Sequence, residues 1–437
     1  METLSNKKIK IAIVGLGYVG LPLALEFSKK YPTFGYDLNE KRINELINNY
    51  DRTSEVSDQE LLEKNNLVIT NQIEDISNCN FYIITVPTPV TDKKLPDLGP
   101  LTLASEMIGQ LINKDDVIVY ESTVYPYATE EYCVPILEKI SGLKYNIDFF
   151  CGYSPERINP GDEKHKLSSI VKITSGSNSK ISTYIDNVYK SIITAGTYNV
   201  SSIAIAESAK IIENIQRDVN IALINELAML FNKLGLDTNE ILEAAGTKWN
   251  FIPFRPGLVG GHCIGVDPYY LTYKAQQISF NPEMILAGRK INDNMGKYIA
   301  EQTIINISKI NMLPKNVTVN IFGLTFKEDC PDLRNSKVPQ IIKNLESHNC
   351  KIIVTDPLAD PKEAKDLYNV KLVDEKKLNK TNVIILAVAH TAFKSKTKKD
   401  WLKILHSNSI IIDVKSILDK ELFDDTKILH WSLWVEY

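Results

Sequence analysis

The six cysteines (79, 133, 151, 263, 330 and 350) include no Cys-x-x-Cys pair, and the six histidines show no His-x-x-x-His spacing. That spacing fits neither a zinc site nor a disulfide framework, so no metal is expected. No apolar run approaches about 20 residues, so no helix is expected to span a bilayer. The opening residues Met1-Glu2-Thr3-Leu4-Ser5-Asn6-Lys7-Lys8 lack the apolar stretch of a signal peptide and lead straight into a strand. A cytoplasmic location is the expectation. Excess charge is missing too: 50 Lys and Arg stand against 54 Asp and Glu, a net of −4. Such a balance offers no footprint for nucleic acid or an anionic membrane. What remains is the composition of a globular chain, and 437 residues exceed one ordinary core. Two or three domains are expected.

Strands alternate with helices, which predicts parallel, doubly wound sheets. Residues 9–14, 33–36, 81–86 and 117–121 read as strands, with helical segments at 21–30, 41–48 and 101–112. The last third repeats the pattern with strands at 317–322, 351–355, 383–388 and 410–414. Tyr36-Asp37 matches Thr355-Asp356, and Thr85-Val86-Pro87-Thr88 matches Leu386-Ala387-Val388-Ala389, as in two related halves. Between them, residues 202–234 contain no Gly or Pro and predict a helix ~50 Å long. An apolar helix of that length can join two domains and pair with its own copy, so a homodimer through it is expected. The expected fold is α/β, two Rossmann-like doubly wound parallel-sheet domains joined by a long central helix. The expected boundaries are 1–201, 202–312 and 313–437.

Gly15-Leu16-Gly17-Tyr18-Val19-Gly20 follows the first strand and opens a helix, and Asp37 ends the next strand 17 residues after Gly20. In that setting the three glycines permit a tight turn, close approach of a pyrophosphate and close helix–strand packing. Asp37 accepts a ribose 2′-hydroxyl and repels a 2′-phosphate, which favours NAD over NADP; Arg42 nearby argues the other way. Ligands bind beyond the carboxyl ends of such strands, which places Val86, Pro87, Thr88, Ser122 and Thr123 beside the cofactor. Thr123 is equally readable as a turn or cap residue. The second half carries no such fingerprint and is expected to bind something other than a dinucleotide.

On the long helix, Glu207, Lys210, Asn214 and Arg217 share one face among apolar neighbours. The stripe is either solvated or aimed at a cleft, where a lysine stabilises an oxyanion or lowers a thiol's pKa. Gly260-Gly261-His262-Cys263 suits a turn in which backbone approaches a ligand. Cys263 is the candidate nucleophile, able to hold an aldehyde as a thiohemiacetal and release an acid from a thioester. Adjacent side chains generally point apart, so His262 is expected to be structural rather than a partner of the thiol. Asp267-Pro268 reads as an N-cap and N1 pair for a helix through about 277, and the same carboxylate can face a cleft.

In order along nearly the whole chain, the motifs Gly15-Leu16-Gly17-Tyr18-Val19-Gly20-Leu21-Pro22, Glu121-Ser122-Thr123-Val124, Ser154-Pro155-Glu156-Arg157, Lys210-Ile211-Ile212-Glu213-Asn214, Phe254-Arg255-Pro256-Gly257, Gly260-Gly261-His262-Cys263 and Phe322-Gly323-Leu324-Thr325-Phe326-Lys327 resemble the UDP-glucose/GDP-mannose dehydrogenase family. The stretch from Ser154 to Asp162, His262 and the Asp267-Pro268-Tyr269-Tyr270 continuation resemble the branch that acts on UDP-N-acetylhexosamines. The resemblance implies oxidation of a C6 hydroxyl to a carboxylate with two NAD and no metal, supplying uronic acid for surface polysaccharide. It implies Cys263 as nucleophile, Lys210 and Asn214 at the oxyanion, Asp267 and Thr123 on a water, and Glu156 as base. It further implies Lys327, Arg255, Gly260, Glu156 and Lys210 at the sugar nucleotide, Arg334 at the cofactor, and a UDP-binding C-terminal domain. Arg157 and Asn159 are the candidates for the N-acetyl group. Rival readings are UDP-glucose oxidation, a two-electron hydroxyacid dehydrogenase of similar fold, and a NAD-binding regulator without turnover. Gluco and galacto configurations are not separable from sequence.

Overall fold

Four consecutive buried residues, Ile11-Ala12-Ile13-Val14, form a strand of the kind that only a sheet covered on both faces can hold. The computed structural model describes residues 8–53, 55–63, 66–91, 93–157 and 166–434. Its strands are β1 (Ile11–Val14), β2 (Thr33–Tyr36), β3 (Leu67–Thr70), β4 (Phe81–Ile84), β5 (Asp116–Tyr120), β6 (Phe149–Tyr153), β7 (Lys172–Gly176) and β8 (Thr197–Asn199) in the first half. The second half adds β9 (Thr318–Phe322), β10 (Lys351–Thr355), β11 (Thr381–Leu386), β12 (Leu405–Asp413) and β13 (Ile428–Ser432). The first sheet runs β3-β2-β1-β4-β5-β6-β7-β8 and the second β10-β9-β11-β12-β13. The second sheet is parallel throughout. In the first, β6 and β7 pair antiparallel, so that sheet is not wholly parallel as expected. Strand β7 is polar in sequence and β8 is largely exposed, which left no alternation to read.

The chain divides into two compact units, Met1–Glu213 with Tyr269–Asn281, and Asn214–Pro268 with Pro282–Tyr437. Residues from the expected middle domain, 202–312, therefore pack with one unit or the other. Ala228, Met295, Ile299 and Ile307, for instance, join the same core as Val319 and Ile321 of β9. Within its own unit each sheet presents the same corner. Gly15 at φ +97° donates its N–H to the Tyr36 carbonyl over 2.8 Å, and Gly323 at φ +96° does the same to Thr355 over 2.8 Å. An L side chain rarely takes that backbone, and a Cβ on Gly323 would also meet Val388 Cβ at 2.5 Å.

The two acids after β2 and β10 differ in how fully they are occupied. Asp37 accepts two backbone N–H groups, from Leu16 and Asn39, each over 2.8 Å. Asp356 accepts four, from Leu324, Thr325, Leu358 and Ala359, and its Oδ2 also lies 3.2 Å from Nε2 of the wholly buried His390. Burial alone would raise the Asp356 carboxyl, but His390 and these amides hold it down to about 2. A ribose would find lone pairs free at Asp37 and none at Asp356.

The expected long helix is present as Ile203–Leu234, 32 residues. Glu207 leaves the stripe assigned to it by spacing and caps another element. It is fully buried and accepts from the N–H groups of Tyr127 and Thr129 and from the Thr129 hydroxyl. Burial pushes its carboxyl up from 4.5 to about 7 despite those donors. A raised folded pKa means the protonated form is favoured in the native state. The stability it contributes is complete below about pH 4.5 and is lost as pH rises through 7. Between pH 5 and 8 the native protein is expected to lose up to about 3 kcal/mol from this group. Melting curves of wild type and Glu207→Gln across that range read the effect: the variant should lack this component of the slope, and parallel slopes would contradict the assignment.

Candidate active site

The fingerprint loop of the first unit leaves an open cradle. Gly17 is exposed, and a Cβ built on it meets nothing within 4 Å. Gly20 opens the helix Gly20–Ser28 so close to Gly15 that a Cβ would sit 1.8 Å from its carbonyl oxygen. Val19 precedes that helix and supplies no side-chain cap. Tyr18 and Val19 are half-buried beside them. A helix N-terminus approached through glycines, with open space at Gly17 among the described residues, fits a pyrophosphate, and half-buried Asp37 fits the ribose. Ser122 ties the loops after β4 and β5 together by donating to the Val86 carbonyl over 2.6 Å, with Pro87, Thr88 and Thr123 flanking that bond in sequence. Arg42 departs from its expected role at the cofactor. It is 5% exposed, its Nε donates to the Leu16 carbonyl over 2.8 Å, and its guanidinium pairs with Asp51 at 2.7 Å. A guanidinium neutralised in this way braces the loop from inside and offers nothing to a 2′-phosphate.

Glu156 sits in a buried charged trio in the same unit. Lys172 donates to Glu121 over 2.7 Å and to Glu156, while Tyr189 donates its hydroxyl to Glu121. Burial alone would lower the Lys172 ammonium, but the two carboxylates hold it above the ordinary range. Burial raises the Glu121 carboxyl even so. The other Glu156 oxygen accepts the Arg157 N–H over 2.6 Å. The Arg157 side chain reaches Glu213 at 2.7 Å on the long helix, where Lys210 is 5% exposed. Asn159 lies outside the described residues.

The second unit holds the thiol. Five of the six cysteines are buried, and Cys263 alone is half-buried. Burial pushes Cys79 and Cys133 up to about 12, away from any thiolate role at neutral pH. The Cys263 carbonyl accepts the N–H groups of Val266 (3.0 Å) and Asp267 (2.9 Å), closing a turn into the helix Asp267–Gln277. Asp267 begins that helix rather than preceding it. Its carboxylate, 1% exposed, accepts from the Asn214 amide, and Arg217 donates to the Asn214 oxygen. Those two bonds fix which end of the amide faces which way. Gly261 adopts φ +81°, and a Cβ there would meet the Phe326 ring at 2.8 Å; one on Gly260 would meet the Asn335 carbonyl at 2.8 Å.

His262 corrects the sequence reading. Its Nδ1 lies 3.0 Å from Cys263 Sγ. Neighbouring side chains diverge on regular strands, but the left-handed Gly261 and the tight turn after it swing these two together. Its Nε2 is 3.8 Å from Asp332, which Arg334 grips through Nε and a terminal nitrogen at 3.0 and 2.5 Å. Arg334 was expected at the cofactor; within its own unit it clamps Asp332. Lys327 stands half-buried, 5.7 Å over the Phe326 ring, and Arg255 5.9 Å over Trp434.

Spacing gave no sign of Lys172, whose partners lie 16 and 51 residues away, or of Asp332. Replacing Lys172 by Met should strand two buried carboxylates and cost roughly 3–5 kcal/mol. A urea unfolding midpoint measures this; a loss below about 1 kcal/mol would show that the trio is not a true charge pairing.

Three segments of the chain match the UDP-glucose/GDP-mannose dehydrogenase family: the NAD binding domain at residues 9–193, the central domain at 204–294 and the UDP binding domain at 320–420. The UDP-N-acetyl-D-glucosamine 6-dehydrogenase of Pseudomonas aeruginosa is 53% identical over 418 residues, 96% of this chain and 99% of that protein. The protein of the same name from Salmonella typhi is 53% identical over 417 residues, 95% and 98% of the two chains. Among solved structures, the UDP-D-ManNAc dehydrogenase of Pyrococcus horikoshii superposes with a TM-score of 0.87 at 28% identity, covering 97% of this chain and 99% of that one. With cradle, thiol turn and both sheets in place, the chain belongs to the UDP-glucose/GDP-mannose dehydrogenase family.

Proposed function

We propose that the protein oxidises the C6 hydroxyl of a UDP-N-acetylhexosamine, UDP-N-acetyl-D-glucosamine before its epimers, to the uronic acid with two NAD. The observation that carries this reading is the single half-buried thiol, Cys263, whose turn joins the Asp267–Asn214 pair. The substrate is favoured by the two relatives at 53% identity, both UDP-N-acetyl-D-glucosamine 6-dehydrogenases.

Bound NAD supplies a hydride acceptor, used twice. The chain's residues do the rest. The first oxidation turns the alcohol into an aldehyde, and the Cys263 thiolate adds to its carbon. Lys210 and Asn214 stabilise the resulting oxyanion by charge and by an amide N–H. Loss of a second hydride leaves a thioester. Water, oriented by Asp267 and Thr123 with Glu156 as base, then releases the carboxylate and the free thiol. One alcohol, one water and two NAD give one carboxylate, two NADH and three protons. Lys327, Arg255, Gly260, Arg157 and Asn159 are assigned to the sugar nucleotide, and Arg334 to the cofactor.

The working form is proposed to be a homodimer through the long helix, on which Ile212, Leu223, Leu230 and Leu234 are 49–60% exposed. The acid product would feed surface polysaccharide. A reducing compartment, the cytoplasm, suits a chain whose six cysteines form no disulfide.

NADH yield per sugar tests the chemistry across UDP-GlcNAc, UDP-GalNAc and UDP-glucose. Two NADH per UDP-GlcNAc is expected, and one, with an aldehyde or ketone as product, would refute the reading. Cys263→Ser should abolish acid formation while NAD still binds. For the dimer, light scattering on Leu230→Lys should report a monomer where the parent chain gives twice that mass; an unchanged mass would remove this helix from the interface.

A further inference from the structure

We infer that His262 is a catalytic base for Cys263, taking the thiol proton at Nδ1, with Asp332 as the positioning residue behind it. The inference rests on Cys263 being the nucleophile of the proposed reaction. Its geometric ground is a line of three groups in one compact unit: Sγ at 3.0 Å from Nδ1, and Nε2 at 3.8 Å from the Asp332 carboxylate.

A neutral imidazole carries one proton, and its position decides whether Nδ1 can accept. Asp332 lies on the Nε2 side. Burial would raise its carboxyl, but the hydrogen bonds and charge of Arg334, then His262, hold it below the ordinary range. An anion there favours the proton on Nε2 and leaves the Nδ1 lone pair directed at the thiol. Phe326 meets the imidazole edge-on with centroids 6.1 Å apart, and Asn335 holds the Gly261 carbonyl over 3.2 Å, so ring and loop are both braced. In the step itself the Sγ–H bond breaks, an Nδ1–H bond forms, and the electron pair stays on sulfur. The thiolate then attacks the aldehyde carbon. When hydrolysis of the thioester expels the thiolate, the imidazolium returns the proton.

Other charges bear on the same sulfur. Asp267 sits four residues on and opposes the thiolate, although its carboxylate is engaged by Asn214. Arg334 neutralises part of Asp332 and so limits how far the imidazolium is favoured. Lys210, four residues before Asn214 on the long helix, is a further cation, assigned to the oxyanion in the proposed mechanism. A depressed thiol pKa therefore needs a variant that separates His262 from these groups.

The experiment is the pH dependence of Cys263 alkylation by iodoacetamide, without sugar, mapped by peptide mass; the other five cysteines are buried. The wild-type midpoint should fall below the ~8.5 of a free cysteine. In His262→Asn it should rise by a unit or more, making alkylation roughly tenfold slower at pH 7. Asp332→Asn should raise it by less, with NAD binding intact in both. A wild-type midpoint at or above 8.5, or the same midpoint in wild type and His262→Asn, overturns the inference. Should His262→Asn fail to fold, an unshifted Asp332→Asn does so instead. Alkylation needs no turnover, so the outcomes stay distinct: an inert Cys263→Ser with unshifted profiles removes only His262's role, whereas an active Cys263→Ser removes the covalent mechanism.

Discussion

One side-chain amide, that of Asn214, fixes the geometry around the thiol. Its nitrogen donates to Asp267 and its oxygen accepts from Arg217, so the group cannot flip without losing both bonds. Asp267 is in turn the first residue of the helix that the Cys263 turn feeds, its N–H bound to the Cys263 carbonyl. The long helix thus holds the nucleophile's loop through a chain of three bonds. Asn214 and Asp267 are buried, where an unmade hydrogen bond costs far more than in water, so their pairing is a rigid one. In the proposed mechanism the same constraint preorganises the amide donor assigned to the oxyanion.

Much of the site was legible because its signals are local. The glycine fingerprint, the acid at the end of β2, the Gly- and Pro-free helix and the thiol between glycines are each written within a few residues. The failures share a cause in tertiary partners. Arg42 has the right position for a cofactor contact, yet Asp51 and the Leu16 carbonyl claim it. Glu207 has the right helical phase for the cleft and instead caps a distant loop. His262 was misjudged by a rule for regular backbone, which a single left-handed glycine suspends. Lys172 had no local mark at all, being one of three polar residues in a five-residue strand.

Charge burial follows a consistent economy in the first unit. Arg42 faces one carboxylate and also holds the Leu16 carbonyl of the fingerprint loop, while Lys172 faces two and ties Glu156, after β6, to Glu121, after β5. Buried ion pairs are poor sources of net stability but hold tightly to one geometry, since breaking either partner strands the other. Loops that must hold a cofactor and a reacting sugar have more use for that fixity than for additional apolar packing.

The contrast between Asp37 and Asp356 has a consequence in time. On the proposed reaction two hydrides leave each sugar, yet of the two corresponding acids Asp37 keeps lone pairs to spare for a ribose while Asp356 is occupied by four amides and His390. One cradle must then be emptied and refilled midway, while a half-oxidised sugar is still aboard. An aldehyde released at that moment would be lost to solvent and to stray amines. The bond to Cys263 is then a mooring as much as a chemical intermediate, retaining the cargo through the change of cofactor.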